Sequence, residues 1–96
     1  MKDNQALIVV DVQKDFLETG ALPVKEGSQV VPVINRIIPK FKNVVFTQDW
    51  HPQGHISFAS SHPGIAPYST IDVSYGKQVL WPEHCVQNTS GAEFAE

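Results

Sequence analysis

Asp49, His51 and His55 stand within seven residues of one another, directly after the apolar run Asn43, Val44, Val45, Phe46, Thr47. A carboxylate and two imidazoles at a strand end and in the loop behind it can converge on one cation, because a loop folds back where a strand would splay them. His84 adds a third imidazole from the segment Trp81-Pro82-Glu83-His84-Cys85, a stiff aromatic setting unlike a solvated loop. One carboxylate and three neutral imidazoles leave a divalent cation with one residual positive charge, a donor set that suits zinc, iron or manganese. Each residue alone has an ordinary reading as a turn cap, a loop histidine or a packed ring, so the metal reading rests on the four together. Asp11, at an earlier strand end, taken alone is more often a cap than a reactive group. Cys85 adjoins His84, but neighbours in an extended segment point to opposite sides, so Cys85 reads as a small buried hydrophobe. His62 reads as surface, and Asp15, Glu18 and Glu83 as solvated groups or local caps.

The elements that must position these residues follow from hydrophobic patterning. Ala6-Leu7-Ile8-Val9-Val10 is a continuous β-branched run, the habit of a strand covered on both faces, and predicts a strand over 6–10. Val30, Val33, Ile34, Ile37, Ile38 and Phe41 repeat at helical spacing and predict a helix over 28–41, with Ser28 as N-cap and a kink or stop at Pro39. A second strand is expected over 43–48. Strand, helix, strand is a right-handed βαβ unit, whose parallel strands end on one edge of the sheet. Asp11 and Asp49 therefore share the edge at which open α/β sheets bind ligands. Residues 49–86 read as a long ordered metal and pocket loop, punctuated by Pro and Gly but carrying Phe58, Ile65, Tyr68 and Ile71.

Composition narrows the function classes. The sequence has 96 residues, 42% hydrophobic and 18% charged, enough for one small domain. A net charge of -3 argues against a nucleic-acid partner. The single cysteine makes no internal disulfide, and the apolar stretch 6–10 is too short for a signal-peptide core or a membrane span. A cytoplasmic protein with a small-molecule partner and no membrane association is the expectation; a homo-oligomer is compatible with it.

Four segments also carry a resemblance. Ala6–Phe16 with its Asp11-Val12-Gln13-Lys14-Asp15-Phe16 core, Thr47-Gln48-Asp49-Trp50-His51-Pro52, His55-x-Ser57-Phe58-Ala59 and Trp81-Pro82-x-His84-Cys85-Val86 resemble bacterial nicotinamidases (pyrazinamidases) of the isochorismatase-like hydrolases. The resemblance implies a three-layer αβα Rossmann-like parallel sheet, of which this sequence is the beginning, incomplete in itself. It implies hydrolysis of nicotinamide to nicotinate and ammonia, and of pyrazinamide to pyrazinoate, through a cysteine thioester in NAD salvage. Asp11 matches the aspartate of an Asp, Lys and Cys triad; Asp49, His51, His55 and His84 match the metal ligands; Phe16 and Trp81 match the aromatic residues that sandwich the substrate ring. The family's catalytic lysine and cysteine lie in segments past the match, and Cys85 corresponds to a non-catalytic cysteine. The 96 residues are therefore expected to be the N-terminal portion of one such domain, inactive alone and poorly folded or partner-dependent in isolation. Competing readings are a metal-binding module without catalysis, another isochorismatase-like hydrolase, and a receiver-like domain, the last disfavoured because magnesium seldom recruits three imidazoles.

Overall fold

The computed structural model describes residues 4–95. Its regular part is an α/β unit. β1 (Ala6–Val9) and β2 (Asn43–Phe46) pair in parallel, with Leu7 beside Val44, Ile8 beside Val45 and Val9 beside Phe46. α1 (Val30–Ile37) makes the crossover between them. Each element is shorter than its apolar pattern. The expected helix over 28–41 is α-helical only from Val30 to Ile37, flanked by tighter 3-10 turns at Gly27–Gln29 and Ile38–Lys40. Pro39 has no N–H to donate back into the helix, so the chain tightens there and leaves. Ser28 is not the helix cap: its N–H and hydroxyl both donate to the Glu18 carboxylate, at 2.9 and 2.6 Å, and Gln29 occupies the cap position. The strand expected over 6–10 closes at Val9 and the one over 43–48 at Phe46.

Beyond the strand ends the pairing runs on briefly and then turns. Thr47 N–H donates to Val9 O at 2.8 Å, and Asp11 N–H to Thr47 O at 3.3 Å. Asp11 itself has φ of 54°, a left-handed conformation that costs a non-glycine residue about 1 kcal/mol or more and must be held by its neighbours.

The stretch expected as one long loop contains a hairpin. β3 (Thr70–Val73) pairs antiparallel with β4 (Gly76–Val79), opposing Val73 to Gly76 across the two-residue turn Ser74-Tyr75. Ser-Tyr lacks the Asn-Gly or Asp-Gly chemistry that announces such a turn, which is why the sequence hides it. Gly76, at φ 127°, supplies the freedom that the turn pair does not.

The core is small and, Val9 of β1 apart, sits away from the parallel sheet. Val9, Phe58, Ala59, Leu80, Cys85 and Ala92 are the buried hydrophobic residues among those described, and α1 buries none of its side chains completely. Between α1 and the sheet a cavity of about 140 Å³ is lined by Val9, Val31, Ile34, Ile38, Phe46 and Phe94 among others. The radius of gyration is 16.1 Å, against about 12.5 Å for a compact domain of this length. No helix among the described residues is long and apolar enough to cross a membrane.

Candidate metal centre

Three segments meet beyond the ends of the parallel strands. The first is Asp11–Phe16, in which Asp11, Gln13 and Asp15 each find a partner far along the chain. Asp11 Oδ1 accepts the Thr47 hydroxyl at 2.6 Å, while Thr47 Oγ1 accepts Asp11 N–H at 2.9 Å. Gln13, fully buried, pairs its carboxamide with the backbone of Asp49. Asp15 accepts Cys85 N–H on Oδ2 at 2.7 Å and Ala21 N–H on Oδ1 at 3.2 Å. Asp15 thus makes the local bond its sequence context suggested, to Ala21, and its other oxygen adds a link across 70 positions to the residue after His84. A Cβ at Gly91 would overlap this carboxylate, and one at Gly20 would overlap the Asp15 backbone, so both positions require glycine.

The second and third segments present the imidazoles. His51 is held through its backbone: its N–H donates to Cys85 O and its carbonyl accepts Gln87 N–H, both at 2.8 Å, forming a parallel bridge to Val86. Cys85 is not extended. Its φ is 50°, and that left-handed turn lets Cys85 O reach His51 while the thiol side chain is buried. A second parallel bridge joins Phe58 to Trp81, with Ala59 N–H on Trp81 O and Trp81 N–H on Ser57 O, both at 2.9 Å. Phe58, fully buried, forms the floor of the site: its ring lies 5.1 Å from that of His51, 6.1 Å from His55 and 5.6 Å from His84.

The ligand-capable atoms of Asp49, His51 and His84 all lie within 4.8 Å of one another. His51 Nδ1 stands 3.4 Å from Asp49 Oδ1, and His84 Nε2 stands 3.4 Å from Asp49 Oδ2. That separation is long for a hydrogen bond. It is the spacing of neighbouring donors around one cation, since ligands at about 2.1 Å in a tetrahedron stand roughly 3.4 Å apart. Among the described residues, moreover, His51 Nδ1 is buried without a hydrogen-bond partner, a state that costs free energy unless something accepts its lone pair. Burial is also the main cause that pushes the His51 pKa below its ordinary value, outweighing the Asp49 charge that raises it, so the ring stays neutral and donor-competent. His84 is similarly prepared. Its Nδ1 faces Pro82 O at 2.8 Å, and since a carbonyl only accepts, Nδ1 carries the proton and Nε2 the lone pair. The donor set fits a divalent cation.

His55 is not part of this group. Its ring lies 5.2 Å from the His51 ring, but Ser57 N–H donates to its Nδ1 at 3.1 Å and the Ser57 hydroxyl lies 2.7 Å from the same atom. An Nδ1 that accepts from a backbone N–H leaves the neutral ring's proton on Nε2. Phe16 packs its ring 5.6 Å from His84, and Trp81 stands edge-on to Tyr68 at 5.9 Å. Phe16 and Asp11 also line one side of a cavity of about 280 Å³ that α1 closes with Val30 and Ile34. Cys85 is fully buried, and burial followed by the Asp49, Asp15 and Asp11 charges pushes its thiol up to about 12. A thiol so protonated is no nucleophile. His62 is half-buried and hydrogen-bonded to Ile56 O at 2.7 Å, apart from the cluster.

Sequence reasoning missed Gln13, Asp15 and Phe58. The alternation of polar residues at 11, 13 and 15 after a strand was the available signal, but their partners are too distant in sequence to be inferred from it.

Known proteins place this arrangement. Residues 5–96 match the Isochorismatase domain. A nicotinamidase of Acinetobacter baylyi is 55% identical over 92 residues, covering 96% of this chain and 43% of its own length. The solved structure of an Acinetobacter baumanii nicotinamidase/pyrazinamidase superposes with a TM-score of 0.91 at 53% identity, over 99% of this chain and 46% of that one. A Pyrococcus horikoshii pyrazinamidase in complex with zinc gives 0.73 at 47% identity, over 94% of this chain and 44% of that one. The chain thus spans less than half the length of these relatives. With a parallel α/β unit, strand-end aspartates and a carboxylate–imidazole cluster in place, the chain belongs to the isochorismatase domain family.

Proposed function

We propose that this chain is the metal- and ring-binding portion of an amide hydrolase that converts nicotinamide to nicotinate and ammonia, and pyrazinamide to pyrazinoate. The observation that carries the reading is the pair of 3.4 Å approaches from the Asp49 carboxylate to His51 Nδ1 and His84 Nε2, with His51 Nδ1 otherwise unpartnered among the described residues. The similarity to nicotinamidases and pyrazinamidases supports the substrate class. Asp49, His51 and His84 are the core ligands. His55, the fourth expected ligand, joins them through Nε2 only in the tautomer that gives up the Ser57 N–H bond and turns Nδ1–H to the Ser57 hydroxyl, and so ranks below the other three. Zinc leads iron and manganese, because two imidazoles and a carboxylate at tetrahedral spacing are a zinc set. When bound, the cation supplies a positive anchor for a pyridine nitrogen.

The chain's own residues do the rest of the positioning. Phe16, beside His84, and Trp81 flank the substrate ring. Asp11 is the base: held at Oδ1 by the Thr47 hydroxyl, it takes the proton of an attacking thiol and later returns it to the leaving ammonia. That thiol is not Cys85, which is buried and strongly protonated. The reading therefore makes residues 1–96 the N-terminal portion of one hydrolase domain, whose lysine and cysteine come from outside them. The reaction belongs to NAD salvage in the cytoplasm, with the small amide as partner and a homo-oligomer admissible.

The test is ammonia release from nicotinamide. The full-length protein is expected to turn over and to lose activity on chelation and in Asp11→Asn, whereas the 96-residue chain shows only the background of the metal salt. Turnover by the 96-residue chain would overturn the division of labour. A full-length protein that binds zinc but hydrolyses no amide would favour the second reading, a metal-binding module, which the inert Cys85 also suits.

A further inference from the structure

We infer that Gln13 is the positioning residue for the metal ligand Asp49, a deduction that rests on the metal reading above. Gln13 is completely buried, and its carboxamide spends every strong contact on two backbone segments. Oε1 accepts Asp49 N–H at 2.7 Å, and Nε2 donates to Asp49 O at 2.9 Å and to Ala92 O at 2.8 Å. A side-chain amide that takes both the N–H and the C=O of one residue acts as one rung of a β-ladder without the strand. It is needed because the β1–β2 ladder has ended: its last bonds reach Thr47, and among the described residues no backbone group bonds Asp49 N–H or C=O. Gln13 therefore sets where the Asp49 Cα–Cβ bond points, and with it the two 3.4 Å approaches to His51 and His84.

Gln13 is itself anchored. Lys14 N–H donates to Glu93 O and Ala95 N–H to Val12 O, both at 2.9 Å, an antiparallel bridge that pins residues 12–14 against 93–95. Ala92 O accepts from two glutamines, Gln13 and Gln48, the latter at 2.9 Å. This supplies an internal control. Gln48 ties down the same carbonyl with its side chain, but among the described residues that side chain makes no hydrogen bond to Asp49, its neighbour in sequence.

The experiment uses the full chain and compares wild type, Gln13→Met and Gln48→Ala, first for zinc affinity by competition with a chromophoric chelator, then for the visible band of the cobalt-substituted site. Methionine keeps the volume and removes all three hydrogen bonds. The expected result is a zinc affinity lower by about 10–100-fold in Gln13→Met, the usual effect of losing a residue that orients a ligand. Its cobalt band should weaken, while Gln48→Ala matches wild type in both. A folded Gln13→Met with wild-type affinity and an unchanged cobalt band overturns the inference, as does an equal loss in Gln48→Ala, which would assign the effect to the Ala92 tether. Should the methionine variant not fold, Gln13→Asn, one methylene too short to span the same groups, is read by the same criteria. Wild type that binds no zinc refutes the metal reading instead, so the two failures are distinct.

Discussion

The β1–α1–β2 unit and the segment from Asp49 to Ala95 solve opposite halves of the folding problem. The first is regular, with its backbone paired in a ladder and a helix, yet Val9 is its only buried hydrophobic side chain. The second has little regular structure besides one hairpin, yet it contains Phe58, Ala59, Leu80, Cys85 and Ala92, and the buried polar residues Ser57 and His84. A ladder satisfies N–H and C=O groups but covers no side chain. Since Val9 and Phe46 turn toward α1, the alternate residues Ile8 and Val45 turn to the opposite face, paired across the strands and 60% and 52% exposed. Parallel sheets are normally covered on both faces. In the second region, single hydrogen bonds between distant residues replace regular structure and the imidazoles stand on a buried ring. The candidate metal centre is therefore assembled by the irregular half, and the regular half is the one that needs cover.

The sharpest way to break this contrast is Phe58→Ala. Removing a fully buried ring should cost about 3–5 kcal/mol, and because three imidazoles rest on it, zinc binding should be lost together with stability in denaturant titration. Retained zinc binding would mean that the floor is dispensable. Next in size is the ranking of the histidines. His51→Ala is expected to abolish stoichiometric zinc uptake in equilibrium dialysis, with His55→Ala weakening it far less; equal losses would make His55 a full ligand. The thiol offers a kinetic measure of how closed the second region is. Cys85, buried and with its pKa near 12, should resist alkylation at pH 8 until denaturant opens the site, and prompt labelling of the native chain would contradict the packing.

The regular half predicts small effects. Ile8→Thr and Val45→Thr on the bare face should each change the stability of the isolated chain by no more than about 0.5 kcal/mol, as surface substitutions do, while reducing self-association in sedimentation. A loss of several kcal/mol would mean that this face is covered. Smallest of all is the Ser28–Glu18 clasp. The Ser28 hydroxyl is the leading cause that lowers the Glu18 pKa below 4.5. A carboxylate with a lowered folded pKa stabilises the fold above its unfolded value, and that contribution is lost as pH falls through the folded one. Thermal unfolding between pH 6 and 2 should thus fall slightly more steeply for wild type than for Ser28→Ala; a parallel pair of curves would show the clasp to be energetically silent.

These two halves also differ in how far the sequence betrays them. The β-branched run at 6–10 and the helical spacing from Val30 to Ile37 are local patterns, legible because helix and strand repeat over a few residues. The grouping of Asp49 with His51 was legible for the same reason, as was the shared sheet edge of Asp11 and Asp49, since parallel strands end together. What lay beyond local pattern was decided by contacts between positions far apart. Gln13 reaches across 36 residues to Asp49 and 79 to Ala92, and Asp15 across 70 to Cys85. Residue types and spacing determined that this chain could gather a carboxylate and imidazoles beside a parallel sheet. Only the tertiary structure decided which imidazoles face the carboxylate, because ligand geometry depends on where backbones are pinned. Buried side chains distant in sequence do that pinning.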